Sequence, residues 1–441
     1  MFKYFLKNNQ LKIPVILELV LTLLVFFSFL FVDAAFNRNY IWIFLFLYII
    51  YIFIVYIKNV PVALFIGFCI PYLFVPFYYF EKGKLISFWG SYQIDEIFNF
   101  VSIVGAIFFI SFRLSLGSLN ENKLVEKKFY GRLNNRFLFW VFIIIQFLVI
   151  IYGASGDTVI ESGQYGQGEV KKGALFEYYF VFMFFSLMLI DRCSRFQLFI
   201  VFLALFFYTV KATFYGGRIE VVQAVLAFTF VVSNFFKGRK FFLLLLVLFA
   251  ILLADLAGKF RSNPAAFIDA VNSSTSQNYL FYPSRDQRDY ISSQFGDVYQ
   301  SSLRIKGLIE DGEISYLDRV SSFAQVTMSY FLPERLRSDT YNLSAYKQEV
   351  VRSGGGGFIF IYSYAWLSYV GVVVFGFLLG VIYKSLYNSN NTIILSYCFV
   401  ISVSFPRWYA YYPITFFKLA VFAAVVAFLV AFLKRIKIVI S

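Results

Sequence analysis

The chain contains no histidine among its 441 residues. That absence excludes histidine-based general base catalysis, histidine-ligated zinc and the membrane-bound acyltransferases that depend on a histidine. Any proton acceptor is therefore to be sought among Asp, Glu, Lys and Tyr. Cysteine is nearly as scarce. Cys69, Cys193 and Cys398 lie in or beside apolar runs and form no CxxC pair, so neither a disulfide framework nor a thiolate metal site is expected. Charged residues make up only 15% of the chain, against roughly 25% in soluble domains.

What takes their place is apolar, with 60% hydrophobic and 22% aromatic residues. Such a chain cannot hide its apolar surface in one soluble core. Apolar runs recur along most of it, each long enough with its flanks to cross a hydrocarbon layer roughly 30 Å thick as a helix. The expectation is an all-α polytopic membrane protein. The formal net charge of +14 does not point to nucleic acid, because the excess basic residues sit mainly in short connections between apolar runs, where membrane topology places them.

About twelve spans are expected, at residues 13–32, 40–56, 61–79, 98–112, 137–152, 176–190, 196–210, 219–232, 241–256, 358–383, 392–404 and 414–433. The first follows Lys3, Lys7 and Lys12 like a signal peptide, but it exceeds the roughly 7–15 apolar residues of one and is expected to remain as a helix. Basic clusters mark the cytoplasmic connections: Lys123, Lys127, Lys128, Arg132 and Arg136; Arg192 and Arg195; Lys237, Arg239 and Lys240; Lys434, Arg435 and Lys437. They alternate without conflict, so both termini are expected in the cytoplasm and the long polar segment 258–357 outside. For a bacterial inner-membrane protein that segment is a large periplasmic loop between helices 9 and 10. The organisation is thus 1–257 with nine helices, 258–357 as the loop, and 358–441 with three helices.

The loop is charge-balanced, eleven basic residues against eleven acidic. Most of these charges are expected to form a solvated face, leaving those near the membrane as site candidates. A short amphipathic helix is expected at 301–309, and the largely apolar stretch 323–332 suits the membrane interface. At the outer end of the seventh span, Tyr215-Gly216-Gly217-Arg218-Ile219-Glu220 allows a tight turn. A helix starting near Arg218 offers free N–H groups beside a guanidinium, an arrangement suited to a phosphate or pyrophosphate. The same turn also suits an arginine reaching lipid headgroups. Asp255, near the end of an apolar run, is costly there unless paired or wet, and Lys259 lies four residues on. Further candidates are Arg261, the Pro333-Glu334-Arg335-Leu336-Arg337 turn, and Arg352 ahead of the glycines 354–357. That glycine run serves either as bare backbone for a polymer to lie against or as a hinge. Tyr362, Tyr364 and Trp366 suit stacking on sugar rings or an interfacial aromatic belt.

Gly216-Gly217-Arg218 before a helix, Lys259-Phe260-Arg261 at the next exit, Pro333-Glu334-Arg335 late in a large outer loop and Gly354 to Phe358 opening the return helix resemble, in that order, the Wzy-type polymerases of bacterial surface polysaccharides. O-antigen and enterobacterial common antigen polymerases are among them. The resemblance covers roughly residues 207–384. It implies a membrane-embedded, metal-independent glycosyltransferase of GT-C-like fold with no cofactor, which joins oligosaccharide repeats carried on undecaprenyl pyrophosphate at the non-reducing end of the incoming unit. Arg218, Arg261, Arg335, Arg337 and Arg352 are then the pyrophosphate-binding candidates, and Glu334, Asp255 and Glu220 the candidate bases. Membrane lipid and a polysaccharide chain-length regulator are the implied partners. The related O-antigen ligases look to a loop histidine that this chain lacks. A lipid-linked oligosaccharide flippase or transporter is the alternative from a different class, although transporters favour two equivalent halves.

Overall fold

A computed structural model describes residues 22, 34–57, 59–81, 94–117, 129, 131–156, 171–191, 194–232, 294–331, 338, 343, 346 and 356–440. Its principal helices are α1 (Ala34–Val55), α2 (Val60–Glu81), α3 (Ile94–Leu116), α4 (Arg136–Tyr152), α5 (Tyr179–Leu189), α6 (Arg195–Phe214), α7 (Arg218–Val232), α8 (Gln294–Glu310), α9 (Tyr316–Thr327), α10 (Ile359–Asn388), α11 (Thr392–Val403) and α12 (Leu419–Ile440). A two-residue antiparallel pair, β1 (Ala154–Ser155) and β2 (Lys171–Lys172), is the sheet among the described residues.

Five of the described helices are long and apolar enough to cross a membrane: Val60–Tyr78, Glu96–Leu116, Arg195–Phe214, Ile359–Asn388 and Ile414–Lys434. Shorter apolar helices run at Tyr40–Val55, Arg136–Tyr152, Tyr179–Leu189, Ile219–Val232 and Thr392–Val403. Apolar helices thus stand at ten of the twelve expected spans; of the remaining two, 241–256 lies outside the described residues and 13–32 does so except for residue 22. The chain is a helical membrane protein.

Contacts divide it into two compact units, Met1–Lys123 with Arg288–Val426 and Leu124–Gln287 with Ala427–Ser441. Lipid tails are as apolar as the side chains, so within each unit the helices are held by close packing and polar contacts rather than by expulsion of water. In the first unit α10 packs along α3, and small residues make that possible. Gly376 and Gly380 face Phe108, Ser111, Phe112 and Ser115, and a Cβ added at Gly380 would lie 2.5 Å from the Phe112 carbonyl oxygen. This is a small-xxx-small contact between backbones. At the far end Arg113 is buried and donates to Tyr56 Oη at 2.7 Å and to the Gly117 carbonyl at 3.2 Å.

The return helix expected at 358–383 is not one continuous span. Leu367 and Ser368 leave helical geometry, Ser368 with φ 54° and ψ −151°, and the chain reverses direction there. In the first arm Phe360 packs on Phe108 and Tyr364 on Phe100, whereas in the second Gly376 meets Phe108 and Gly380 meets Phe112. The arms therefore run in opposite senses along α3. Gly371 lets them close: a Cβ there would sit 2.2 Å from the Ser363 carbonyl oxygen. The second arm, 369–388, still covers about 30 Å at about 1.5 Å per residue.

The first arm is buried, with Tyr362 and Trp366 fully enclosed. These two rings therefore pack the core, against Tyr412 at 5.0 and 6.2 Å, and are not an interfacial belt or a sugar platform. Beside them residues 404–413, expected to leave the membrane after a span, are buried except at Arg407 and Tyr411. Irregular backbone at this depth is tolerated only where protein surrounds it, and here it pairs with the start of α10. Gly357 N–H donates to the Tyr411 carbonyl and Ile359 N–H to the Tyr409 carbonyl, both at 3.0 Å. Gly356 makes that approach possible, because a Cβ there would lie 2.0 Å from the Ala410 carbonyl oxygen. The described end of the glycine run is thus neither a hinge nor a polymer groove; it is covered by the chain itself.

The second unit gathers α4 to α7. Gln146 donates to Ser186 Oγ at 2.6 Å, a buried polar tie between α4 and α5. Tyr179 and Tyr208 stack at 3.8 Å between α5 and α6, and Tyr208 Oη donates to the Phe176 carbonyl.

Candidate functional site

At one end of the second unit lie the β1–β2 pair that follows α4 and the turn between α6 and α7. α6 ends at Tyr215, after which Gly216 takes φ +71°. Gly217 N–H donates to the Ala212 carbonyl at 2.7 Å and Gly216 N–H to the Thr213 carbonyl at 3.0 Å. These are the paired bonds of a Schellman C-cap, which needs glycine at the left-handed position. α7 starts at once with Arg218, and Val221 N–H closes its first turn on the Gly217 carbonyl.

Glu220, in that first turn, is buried, and its carboxylate lies 3.7 Å from the Lys172 ammonium. Lys172 is delivered by β2, which pairs with β1 directly after α4 ends: Ala154 stands opposite Lys172 and Ser155 opposite Lys171. Lys211, in the last turn of α6, donates to the Ile151 carbonyl at 2.8 Å and lies over the Tyr215 ring. It thereby meets one of the carbonyls exposed at the C-terminus of α4. At this end of the unit Lys172 thus meets Glu220, Lys211 caps α4, and the α7 backbone begins at Arg218. Between α4 and α6 an open apolar surface groove is lined by Phe147, Ile150, Phe207, Val210 and Phe214, with Lys211 and Tyr215 at the end nearest the glycine turn.

A second polar cluster lies in the first unit, at the tip of the α10 hairpin. Arg319, on α9, is 8% exposed. Its guanidinium donates to the Ala365 carbonyl, to the Tyr364 carbonyl at 2.9 Å and to Ser368 Oγ at 2.8 Å. These are the orphan acceptors where the first arm stops, so a cation caps the negative end of that helix. Trp366 Nε1 donates to Ser322 Oγ of α9 at 3.2 Å. Nearby, Lys306 of α8 pairs with Glu96, at the start of α3, and with Glu310 at 2.7 Å. Burial alone would lower the Lys306 pKa, but hydrogen bonds and charge from Glu310 and Glu96 outweigh it and raise it above the ordinary lysine value. It stays protonated through neutral pH.

Of the residues expected from sequence, Arg218 opens α7 and Glu220 sits in its first turn. Asp255, Arg261, Glu334, Arg335, Arg337 and Arg352 lie outside the described residues. The expected helix at 301–309 is part of α8, but the loop is not simply a solvated face. Tyr299 of α8 is fully buried between Phe98 and Phe358, at 5.0 and 5.4 Å, and Arg319 and Lys306 are engaged as above. Lys172, Lys211, Lys306 and Arg319 were not legible as site residues. The one available signal was the capping box at Ser315 and Asp318 that starts α9.

No family model, curated protein or solved structure matches this chain.

Proposed function

We propose that the chain is an oligosaccharide repeat-unit polymerase of the bacterial inner membrane, a metal-independent glycosyltransferase acting on undecaprenyl-pyrophosphate-linked glycan at the periplasmic face. The observation that carries this reading is the meeting, in one unit, of an open apolar groove with Lys211 and a glycine turn at its end, and of the Lys172–Glu220 pair in the helix turn that follows. That pairing of environments suits a ligand with a long hydrocarbon chain and an anionic head. The carbon to pyrophosphate bond of the donor sugar breaks, the acceptor hydroxyl oxygen bonds to the anomeric carbon, and the electron pair leaves with the pyrophosphate. Fixed cations at the departing anion lower that barrier without a metal.

In this proposal Arg218 binds the pyrophosphate, with Arg261, Arg335, Arg337 and Arg352 as further ligands. Glu220 accepts the hydroxyl proton, Glu334 and Asp255 being the other candidate bases. A good leaving group asks little of the base. A chain-length regulator remains part of the proposal as a partner. The discontinuous α10 favours a second reading, a flippase or transporter for the same lipid-linked oligosaccharide, because broken helices line substrate paths in transporters. Ligase has no such support.

Arg218→Ala is expected to weaken binding of a polyprenyl pyrophosphate to the purified protein by about 10- to 100-fold, the range for loss of a charge-assisted contact. Titration against the parent protein, with a polyprenyl alcohol as control, measures it. Equal affinity for variant and parent would remove Arg218 from the site.

A further inference from the structure

Helix α9 is amphipathic the wrong way round for a helix on a water-soluble surface. Its inward face carries Arg319, Ser322 and Val326, all buried. Its outward face carries Leu317, Ser321, Ala324 and Met328 at helical spacing, continued by Phe331 in the turn that follows. Leu317 is 78% exposed, Met328 53% and Phe331 82%, and the flanking Tyr316 and Tyr330 are exposed too. A soluble helix buries such a stripe and presents its charge outward.

The surroundings of α9 say what meets the stripe. Near its start, Arg319 bonds Ser368 Oγ, directly before Tyr369 and Val370, which open the second arm of α10 and are themselves 48% and 69% exposed. Further along, Phe323 packs on Phe417 at 6.5 Å, near the beginning of the membrane-crossing helix Ile414–Lys434. One helix of about 18 Å, by its twelve residues and the helical rise, therefore touches the starting ends of two membrane-crossing helices. Both contacts fall at the starting ends of those helices, where Tyr369 and Val370 are exposed.

We infer that α9 is an interfacial helix whose Leu317, Met328 and Phe331 side chains insert into the lipid leaflet and anchor it there. The partner is the hydrocarbon boundary, not anionic headgroups. Asp318 is the one exposed charge from Tyr316 to Phe331, and it caps its own helix through Ser315. Attachment by the described residues 316–331 therefore comes from apolar burial. The inference rests on the chain crossing a membrane and is independent of the polymerase reading.

Spin labels at Leu317→Cys and Phe331→Cys, with Glu313→Cys in the exposed preceding turn as the aqueous reference, test it in the full-length protein in lipid nanodiscs. Signal from the unsubstituted parent is subtracted. Molecular oxygen concentrates in hydrocarbon, whereas a nickel chelate stays in water. The expected result is oxygen access above nickel access at both stripe positions and the reverse at Glu313, unchanged between zwitterionic and anionic discs. Nickel access at the stripe would overturn the inference. So would protection from both reagents, which would mean a protein cover, and so would oxygen access confined to anionic discs.

Discussion

Arg319→Ala is expected to lower the unfolding free energy of the detergent-solubilised protein by about 3–5 kcal/mol, the range for stranding buried polar groups that lose a charged partner. One guanidinium serves two carbonyls and a hydroxyl at the hairpin tip, and no other described side chain donates to the Tyr364 or Ala365 carbonyls. The turn it closes is itself unfavourable. Ser368 sits at φ 54°, ψ −151°, close to a region otherwise populated by glycine, at a cost of about 1–3 kcal/mol. Without Arg319 the Trp366–Ser322 hydrogen bond and the packing of Phe323 are left to hold α9 on the hairpin. Arg319→Lys should recover only part of the loss, since a single ammonium cannot reproduce the planar fork. Denaturant midpoints for the three proteins decide it. Equal midpoints for Arg319→Ala and the parent would show that the hairpin holds without its cap.

A comparable effect is expected where two stretches of backbone meet. Gly356→Ala places a methyl group 2.0 Å from the Ala410 carbonyl oxygen and 2.6 Å from Tyr411 Cα. Neither contact can be relieved by turning a side chain. The pairing of residues 357–359 with 409–411 must open, for an expected loss of about 3 kcal/mol or more, at or above the usual range for overpacking. Gly357→Ala is the comparison, because its nearest neighbours are atoms of the Tyr362 ring from 3.1 Å, and a ring can shift. A marked fall in midpoint for Gly356→Ala beside a small one for Gly357→Ala is the predicted pattern. A stable Gly356→Ala protein would reopen the idea that the glycine run serves a ligand.

The helices were legible because apolar runs of membrane length admit few alternatives, and the basic residues of the short connections support their alternation. The reversal inside α10 was not legible. It falls at Leu367-Ser368, with neither proline nor glycine at the turn, and only Gly371 hints at it. Gly376 and Gly380 form a pattern visible in the sequence, but their partners Ser111 and Ser115 are fixed only by three-dimensional packing. Arg319 looked like one charge among many in a balanced segment; its burial depends on carbonyls that the break in α10 exposes. At the candidate site, Gly216-Gly217-Arg218 was readable from the turn chemistry of its glycines. Lys172 was not, because a two-residue strand pairing brings it to Glu220. Both residues that the sequence nominated within the described chain, Arg218 and Glu220, fall in the first turn of α7.

The most direct test of the proposed activity is a gel of surface lipopolysaccharide from a strain lacking this protein, complemented with the parent or with Arg218→Ala. The polymerase reading predicts core bearing a single repeat, with the ladder restored by the parent and not by the variant. Core without any repeat would contradict it and point to transport or ligation, which are separated by the face of the membrane on which lipid-linked sugar accumulates.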